Sequence, residues 1–218
     1  MELARKLGKC TFHLIDVKGE KVTAYRDTSG LTKDEFKRVL KQIDTSSRIG
    51  IRDFAILLLL WTNALRRSEV SKLKVSDFNY DNRTLRVLGK GKGTNYEVIE
   101  VPKATADAIL QWLQSGKITS TDIPLFTACD FHNAGHGLCG DMISRIVKKY
   151  CEKAGITKRV SAHTMRHSSI TAALDASDGN VRKVQKLSRH ADIRTLTIYD
   201  DNRNRHQGEM SDVLADLL

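Results

Sequence analysis

The chain is poor in the residues that signal disorder, export or membrane insertion. Only two of its 218 residues are proline, and no stretch is compositionally monotonous, while two-fifths of the residues are apolar. That balance excludes gross disorder and leaves enough apolar material for a sizeable core. The four cysteines, Cys10, Cys129, Cys139 and Cys151, are too few for a disulfide framework at this length. The apolar run from Ala55 to Trp61 is far too short to span a bilayer, and Met1-Glu2-Leu3-Ala4-Arg5-Lys6 leads into no apolar stretch of the kind a secretory signal needs. A soluble, reduced, cytoplasmic protein with no membrane association is expected.

Positive charge is abundant and unevenly placed. Thirty-six Lys and Arg face 26 Asp and Glu, a formal net charge of +10. From Asp200 to Leu218 five acids outnumber two bases, so this tail carries −3 and the 199 residues before it carry +13. A folded body this basic points to a polyanionic partner, above all nucleic acid, gripped through phosphate contacts and counterion release.

Residues 1–30 read as an arm or weak hairpin around Lys18-Gly19. Thr32-Lys33-Asp34-Glu35 has the form of a capping box, and Phe36, Val39, Leu40 and Ile43 then follow at helical spacing. A largely apolar, buried helix is expected from about Gly50 to Asn63, and a short one from Arg66 to Leu73. Thr84–Leu88 and Tyr96–Val101 are β-prone runs flanking Gly89-Lys90-Gly91-Lys92-Gly93, which predicts a hairpin with a basic, glycine-rich tip. Helices are expected again over 103–114, 141–153, 162–175, 181–187 and 193–199, with a tail helix over 208–218 and a polar loop over 127–140. The fold class is mainly α with one small antiparallel sheet.

Four separated segments carry groups suited to a phosphodiester. Arg66 and Arg67 open a helix, and guanidinium groups bind phosphate bidentately, with Glu69 one turn on to hold Arg66. Lys90 sits in the hairpin tip, where glycines permit close approach, and a lysine of lowered pKa is a competent acid. Its Gly-Lys is followed by Gly, which rules out a Walker A loop. His163 and Arg166 are three residues apart, on one helical face. His190 follows Ser188-Arg189 and precedes Tyr199, whose hydroxyl is a nucleophile if nearby cations favour its ionisation. Cys129, His132, His136 and Cys139 have a compact C-x2-H-x3-H-x2-C spacing unlike common zinc modules, and an ordinary polar loop is the reading there.

The order Arg, hairpin Lys, His-x-x-Arg, His, Tyr resembles the tyrosine recombinase (phage integrase) family, from about Leu31 to Asp201. Trp61-Thr62-Asn63-Ala64-Leu65-Arg66-Arg67-Ser68-Glu69-Val70 is similar to its first arginine box, with Ala64 in place of the usual Gly. Ala162-His163-Thr164-Met165-Arg166-His167 is similar to its second box. Leu187-Ser188-Arg189-His190 through Tyr199 is similar to its tyrosine box, with Arg189 where Gly is usual. The wording is closest to Xer-type and mobile-element integrases. The resemblance implies the tyrosine recombinase catalytic-domain fold over 31–201, an N-terminal arm (1–30) too short for a full core-binding domain, and a C-terminal tail helix (202–218).

It also implies roles. Arg66 and Arg166 clamp the scissile phosphate, with Glu69 in support; Lys90 protonates the leaving 5′ oxygen, with Lys92 close enough to do so instead. His163 assists proton transfer, His190 donates a hydrogen bond to the phosphate, and Tyr199 attacks to form a 3′-phosphotyrosyl link. Arg67, Lys92 and Arg189 are expected to contact DNA. The implied activity is site-specific DNA recombination or integration, without ATP, metal or other cofactor, by a homotetramer on double-stranded DNA that is monomeric or weakly associated when free. A type IB topoisomerase and a non-catalytic DNA-binding regulator on the same scaffold are the alternatives. Val213, Leu214, Leu217 and Leu218 form an apolar stripe on the tail, which packs either on its own domain or on a neighbouring subunit.

Overall fold

The computed structural model describes residues 30–89, 95–130, 132–196, 211 and 214–217. The arm over 1–29, the hairpin tip with Lys90 and Lys92, and Tyr199 lie outside the described residues. Helix α1 (Lys33–Lys41) starts as its sequence dictates: the Thr32 side chain accepts from the Glu35 N–H, and the Glu35 carboxylate accepts from the Thr32 N–H. It buries Phe36 and Val39, and Phe36 stacks on Trp61 at 4.1 Å between ring centroids. Thr32→Ala should lower stability by about 1 kcal/mol in a urea melt, because the Glu35 N–H in the first turn loses its side-chain acceptor.

Helix α2 (Arg48–Thr62) is the central element, packed against α4 (Lys103–Ser115) and α6 (Ala162–Ala176). Leu57, Leu59 and Leu60 are completely buried on it. Two charged residues share this burial. Asp53, 1% exposed, accepts from Arg52 Nε and Nη2 at 3.0 and 2.7 Å and from the Tyr150 hydroxyl at 3.1 Å. Arg52 in turn donates to the Thr127 carbonyl at 2.9 Å, so the ion pair ties α2 to α5 (Gly140–Lys153) and to the segment before it. A buried charge pair is tolerated when its remaining hydrogen-bonding capacity is filled in this way.

Between α2 and α4 lie the short helix α3 (Arg67–Val70), a single 3₁₀ turn, and an antiparallel sheet in the order β1 (Phe78–Asn79), β2 (Thr84–Leu88), β3 (Tyr96–Glu100). Leu88 pairs with Tyr96 at the end of the ladder. Leu85 and Val87 point into the core on alternate positions. Strand β1 and the 3₁₀ turn carry too few residues for any periodicity to mark them. Within the 127–140 stretch Thr127, Ala128 and Leu138 are buried, and Thr127 bridges to Gly137, so part of this polar segment packs on the core.

The apolar interior divides in two. The larger cluster joins α1 to α6, while a smaller one gathers Ala64, Ile170, Leu174, Val184 and Leu196 beneath α7 (Val181–Ser188). The loop from Asn63 to Arg66 runs between the two. No helix among the described residues is long and apolar enough to cross a membrane. In the tail, Leu214 and Leu217 are exposed in the single chain.

Candidate active site

The site is assembled where three helix ends meet: the end of α2, the start of α6 and the end of α7. Helix α2 stops at Asn63, whose side-chain amide donates to the Glu100 carbonyl at 2.7 Å. Ala64 then adopts φ +46°, a left-handed conformation costing an L-residue with a Cβ about 1 kcal/mol. Its methyl group is buried in the smaller core cluster, which offsets part of that cost. The turn directs the Ala64 carbonyl at Arg166 and sends the chain out again at Arg66.

Arg66 immediately precedes α3. Its backbone N–H donates to Glu69 Oε2 and its Nη1 to Glu69 Oε1, both at 2.8 Å. The Glu69 side chain is 1% exposed and that of Arg66 27%, so the carboxylate is sealed in while the guanidinium reaches the surface. Burial alone would raise the Glu69 pKa. The charge of Arg189, the Arg66 N–H and the Arg66 guanidinium outweigh it and hold the carboxyl below its usual range.

Helix α6 begins with Ser161 accepting from the Thr164 N–H at 3.1 Å, which sets the phase of its first two turns. Arg166 is thereby turned inward and is 2% exposed. It donates through Nη1 to the Ala64 carbonyl and through Nη2 to the Ser188 carbonyl, and Nη2 lies 3.4 Å from His190 Nε2. His163, three residues earlier, is exposed, and its Nε2 is 2.6 Å from Nε2 of His167, the two rings meeting edge to face. The pair requires one ring nitrogen to donate and the other to accept.

Helix α7 ends at Arg189, which has φ +54°. Expected to reach DNA, the Arg189 side chain is instead 5% exposed, and its Nη2 pairs with Glu69 Oε2 at 2.8 Å. Its terminal nitrogens donate to protein acceptors, and the residue also lines the groove beside His190. Arg67 is half-exposed and bonds Asp141 Oδ1 at 2.7 Å and Ser144 Oγ at 3.2 Å, joining α3 to α5.

His190, the next residue after Arg189, is half-buried, and its Nδ1 is buried without a hydrogen-bond partner among the described residues. Burial, followed by the charges of Arg166, Arg66 and Arg189, lowers its pKa to about 4. The ring is therefore neutral at physiological pH. Its NMR resonances are expected to show no titration step near 6.5, the midpoint an ordinary histidine gives, and a step there would contradict this environment. An open groove beside it is lined by Glu97, Arg182, Gln185 and Lys186.

The structure thus brings Arg66, Glu69, Arg166, Arg189 and His190 into one cluster. The Arg66 and Arg189 guanidinium groups share the Glu69 carboxylate, while Arg166 lies beside them against His190, so the charges of all three arginines converge on the His190 ring. Lys90, Lys92 and Tyr199 fall outside the described residues. Among the described residues no three of His, Cys, Asp and Glu gather as a metal-binding group. Sequence reasoning missed Asn63 and the carbonyls of Ala64 and Ser188, which hold the two buried arginines. For Ala64 a signal existed, because a position where glycine is usual implies a left-handed turn.

Comparison with known proteins places the cluster in context. The model of the Phage integrase family matches residues 29–206. A tyrosine recombinase of Synechocystis sp. is 47% identical over 215 residues, 99% of this chain and 68% of its own length. The crystal structure of XerA recombinase superposes with a TM-score of 0.66 at 26% identity, covering 78% of this chain and 59% of that one. The XerH site-specific recombinase, solved on its palindromic difH substrate, shares the fold with a TM-score of 0.73 at 21% identity, over 94% of this chain and 59% of that one. This chain therefore spans about two-thirds of the Synechocystis relative and about three-fifths of the two solved chains. With the family model matched over residues 29–206 and a 47% identical tyrosine recombinase aligned over 99% of this chain, the chain belongs to the phage integrase family, on the tyrosine recombinase fold.

Proposed function

We propose that this chain is the DNA-cleaving and rejoining part of a site-specific recombinase that works through a phosphotyrosyl intermediate. The observation that carries the reading is the convergence of Arg66, held by Glu69, and Arg166 beside His190, which supports a seat for one phosphate. The basic body supports duplex DNA as the partner, and the XerH relative of the same fold is bound to its difH substrate.

In this reading Arg66 and Arg166 neutralise the non-bridging oxygens of the scissile phosphate, whose negative charge grows as the nucleophile approaches. The Tyr199 oxygen attacks phosphorus and gives up its proton with help from His163. The new bond is Tyr199 O–P and the broken bond is P–O5′. Lys90 delivers a proton to the departing 5′ oxygen, and neutral His190 supplies one N–H hydrogen bond to the phosphate. One ester replaces another, so bond energy is kept and religation by a second 5′ hydroxyl needs no ATP and no metal. Arg67 and Lys92 serve the flanking backbone, and four copies assemble on DNA to exchange strands.

The test is covalent capture on a library of nicked duplexes, in which the released 5′ segment diffuses away and traps the intermediate. Wild-type chain should yield an adduct stable to denaturation and Tyr199→Phe none. Absence of any adduct with wild-type chain would overturn the reading.

A further inference from the structure

Helix α7 terminates at a position that favours glycine and is filled by arginine. At φ +54° a glycine would enter freely, whereas arginine does so against its own backbone preference. The side chain that comes with this unfavourable backbone is 5% exposed, and both of its terminal nitrogens donate to protein acceptors. Nη2 donates to Glu69 Oε2 at 2.8 Å, and Nη1 donates to the carbonyls of Asn63 and Leu187 at 3.3 and 3.2 Å.

Glu69 lies 120 residues earlier in the chain and is the residue that holds Arg66. Oε1 is committed to Arg66 Nη1, while Oε2 is shared between the Arg66 N–H and Arg189. A carboxylate fixed at both oxygens cannot rotate, so the direction of the Arg66 guanidinium depends on a residue at the far end of α7. The bond to the Asn63 carbonyl adds a second tie, between the turn bearing His190 and the loop that carries Arg66. These two segments border the two separate core clusters, and apolar packing alone does not lock one to the other.

We propose that Arg189 is a positioning residue: acting through Glu69 and Asn63, it fixes the Arg66 guanidinium and the His190 turn in register for one phosphate. The inference rests on the reading of Arg66 as a phosphate clamp.

Arg189→Gly and Arg189→Met separate this role from others. Glycine suits the backbone and removes the side chain; methionine keeps an apolar stem and removes the fork, so the comparison survives if the glycine variant folds poorly. Per folded molecule, both should slow single-turnover cleavage of a nicked duplex about 10- to 100-fold, the scale of a misplaced catalytic group, with DNA affinity unchanged. In a Glu69→Gln background Arg189→Met should cost less than it does in wild type, because only the tie to Asn63 is left to lose. A cleavage rate equal to wild type would overturn the inference, as would a weakened DNA affinity with a salt slope reduced by about one, the mark of a direct phosphate contact. A second readout does not depend on cleavage. The Arg66 guanidinium should give distinct, slowly exchanging Nη resonances in wild type that coalesce in Arg189→Met. Identical Arg66 spectra in the two proteins would overturn the inference even if wild-type chain captures no DNA, an outcome that would instead count against the proposed function.

Discussion

Replacing Arg166 with alanine is expected to abolish covalent DNA capture and to lower folding stability by about 3–5 kcal/mol. The two losses have one origin. Arg166 is buried against the Ala64 and Ser188 carbonyls, and those acceptors sit on either side of the seam between α2 and α7. Removing the guanidinium leaves both carbonyls without their donor, at about 1–3 kcal/mol each, and deletes a charge from the phosphate seat. Arg166→Lys keeps the charge but has no planar fork to serve two carbonyls at once, so it should recover only part of the stability. Urea melts and capture on one nicked duplex measure both effects. A stable, cleaving Arg166→Ala chain would show that this residue is dispensable and that the site lies elsewhere.

Glu69→Ala should be comparably severe for stability, about 3–5 kcal/mol, because it leaves two guanidinium groups facing one another without their shared carboxylate. The effect has a pH signature. The folded-state pKa of Glu69 is lowered, so its stabilisation is fully present above the unfolded carboxyl value and is lost as pH falls through the folded value. Wild-type chain should therefore lose stability on acidification more steeply than Glu69→Ala, and the two curves should converge at low pH. Parallel curves would mean that Glu69 is not ion-paired as described.

Much of this architecture is legible in the amino-acid sequence. The capping box at Thr32, the helical spacing after it, and the β-prone runs around the glycine-rich tip are local signals, and α1, β2 and β3 follow them closely. What local signals cannot carry is the wiring between distant segments. Arg189 reads as a surface cation because its partner Glu69 is 120 residues away and because arginine after a helix end is ordinarily solvated. Yet the two departures from the family wording, Ala64 and Arg189, are the two places around the site where a residue other than glycine occupies a left-handed turn. A glycine in a family pattern marks a backbone conformation, and its replacement leaves the conformation intact while adding a side chain that must go somewhere. Here the methyl of Ala64 fills the small core and the guanidinium of Arg189 fills the space beside Glu69.

The pairing of His163 with His167 is equally beyond local signals, although the spacing allows it. Four residues apart on one helix, two imidazoles meet as readily as a histidine and an arginine three apart, and only the inward turn of Arg166 decides between them.

The proposed reaction joins Tyr199 to a 3′ phosphate in a seat built by Arg66 and Arg166. Peptide mapping of the adduct captured on a nicked duplex, after nuclease trimming, tests it most directly. One modified peptide is expected, with a nucleotide 3′-phosphate on Tyr199, formed equally well with and without a chelator. A nucleotide on any other residue, or no adduct from wild-type chain on any duplex in the library, would contradict it.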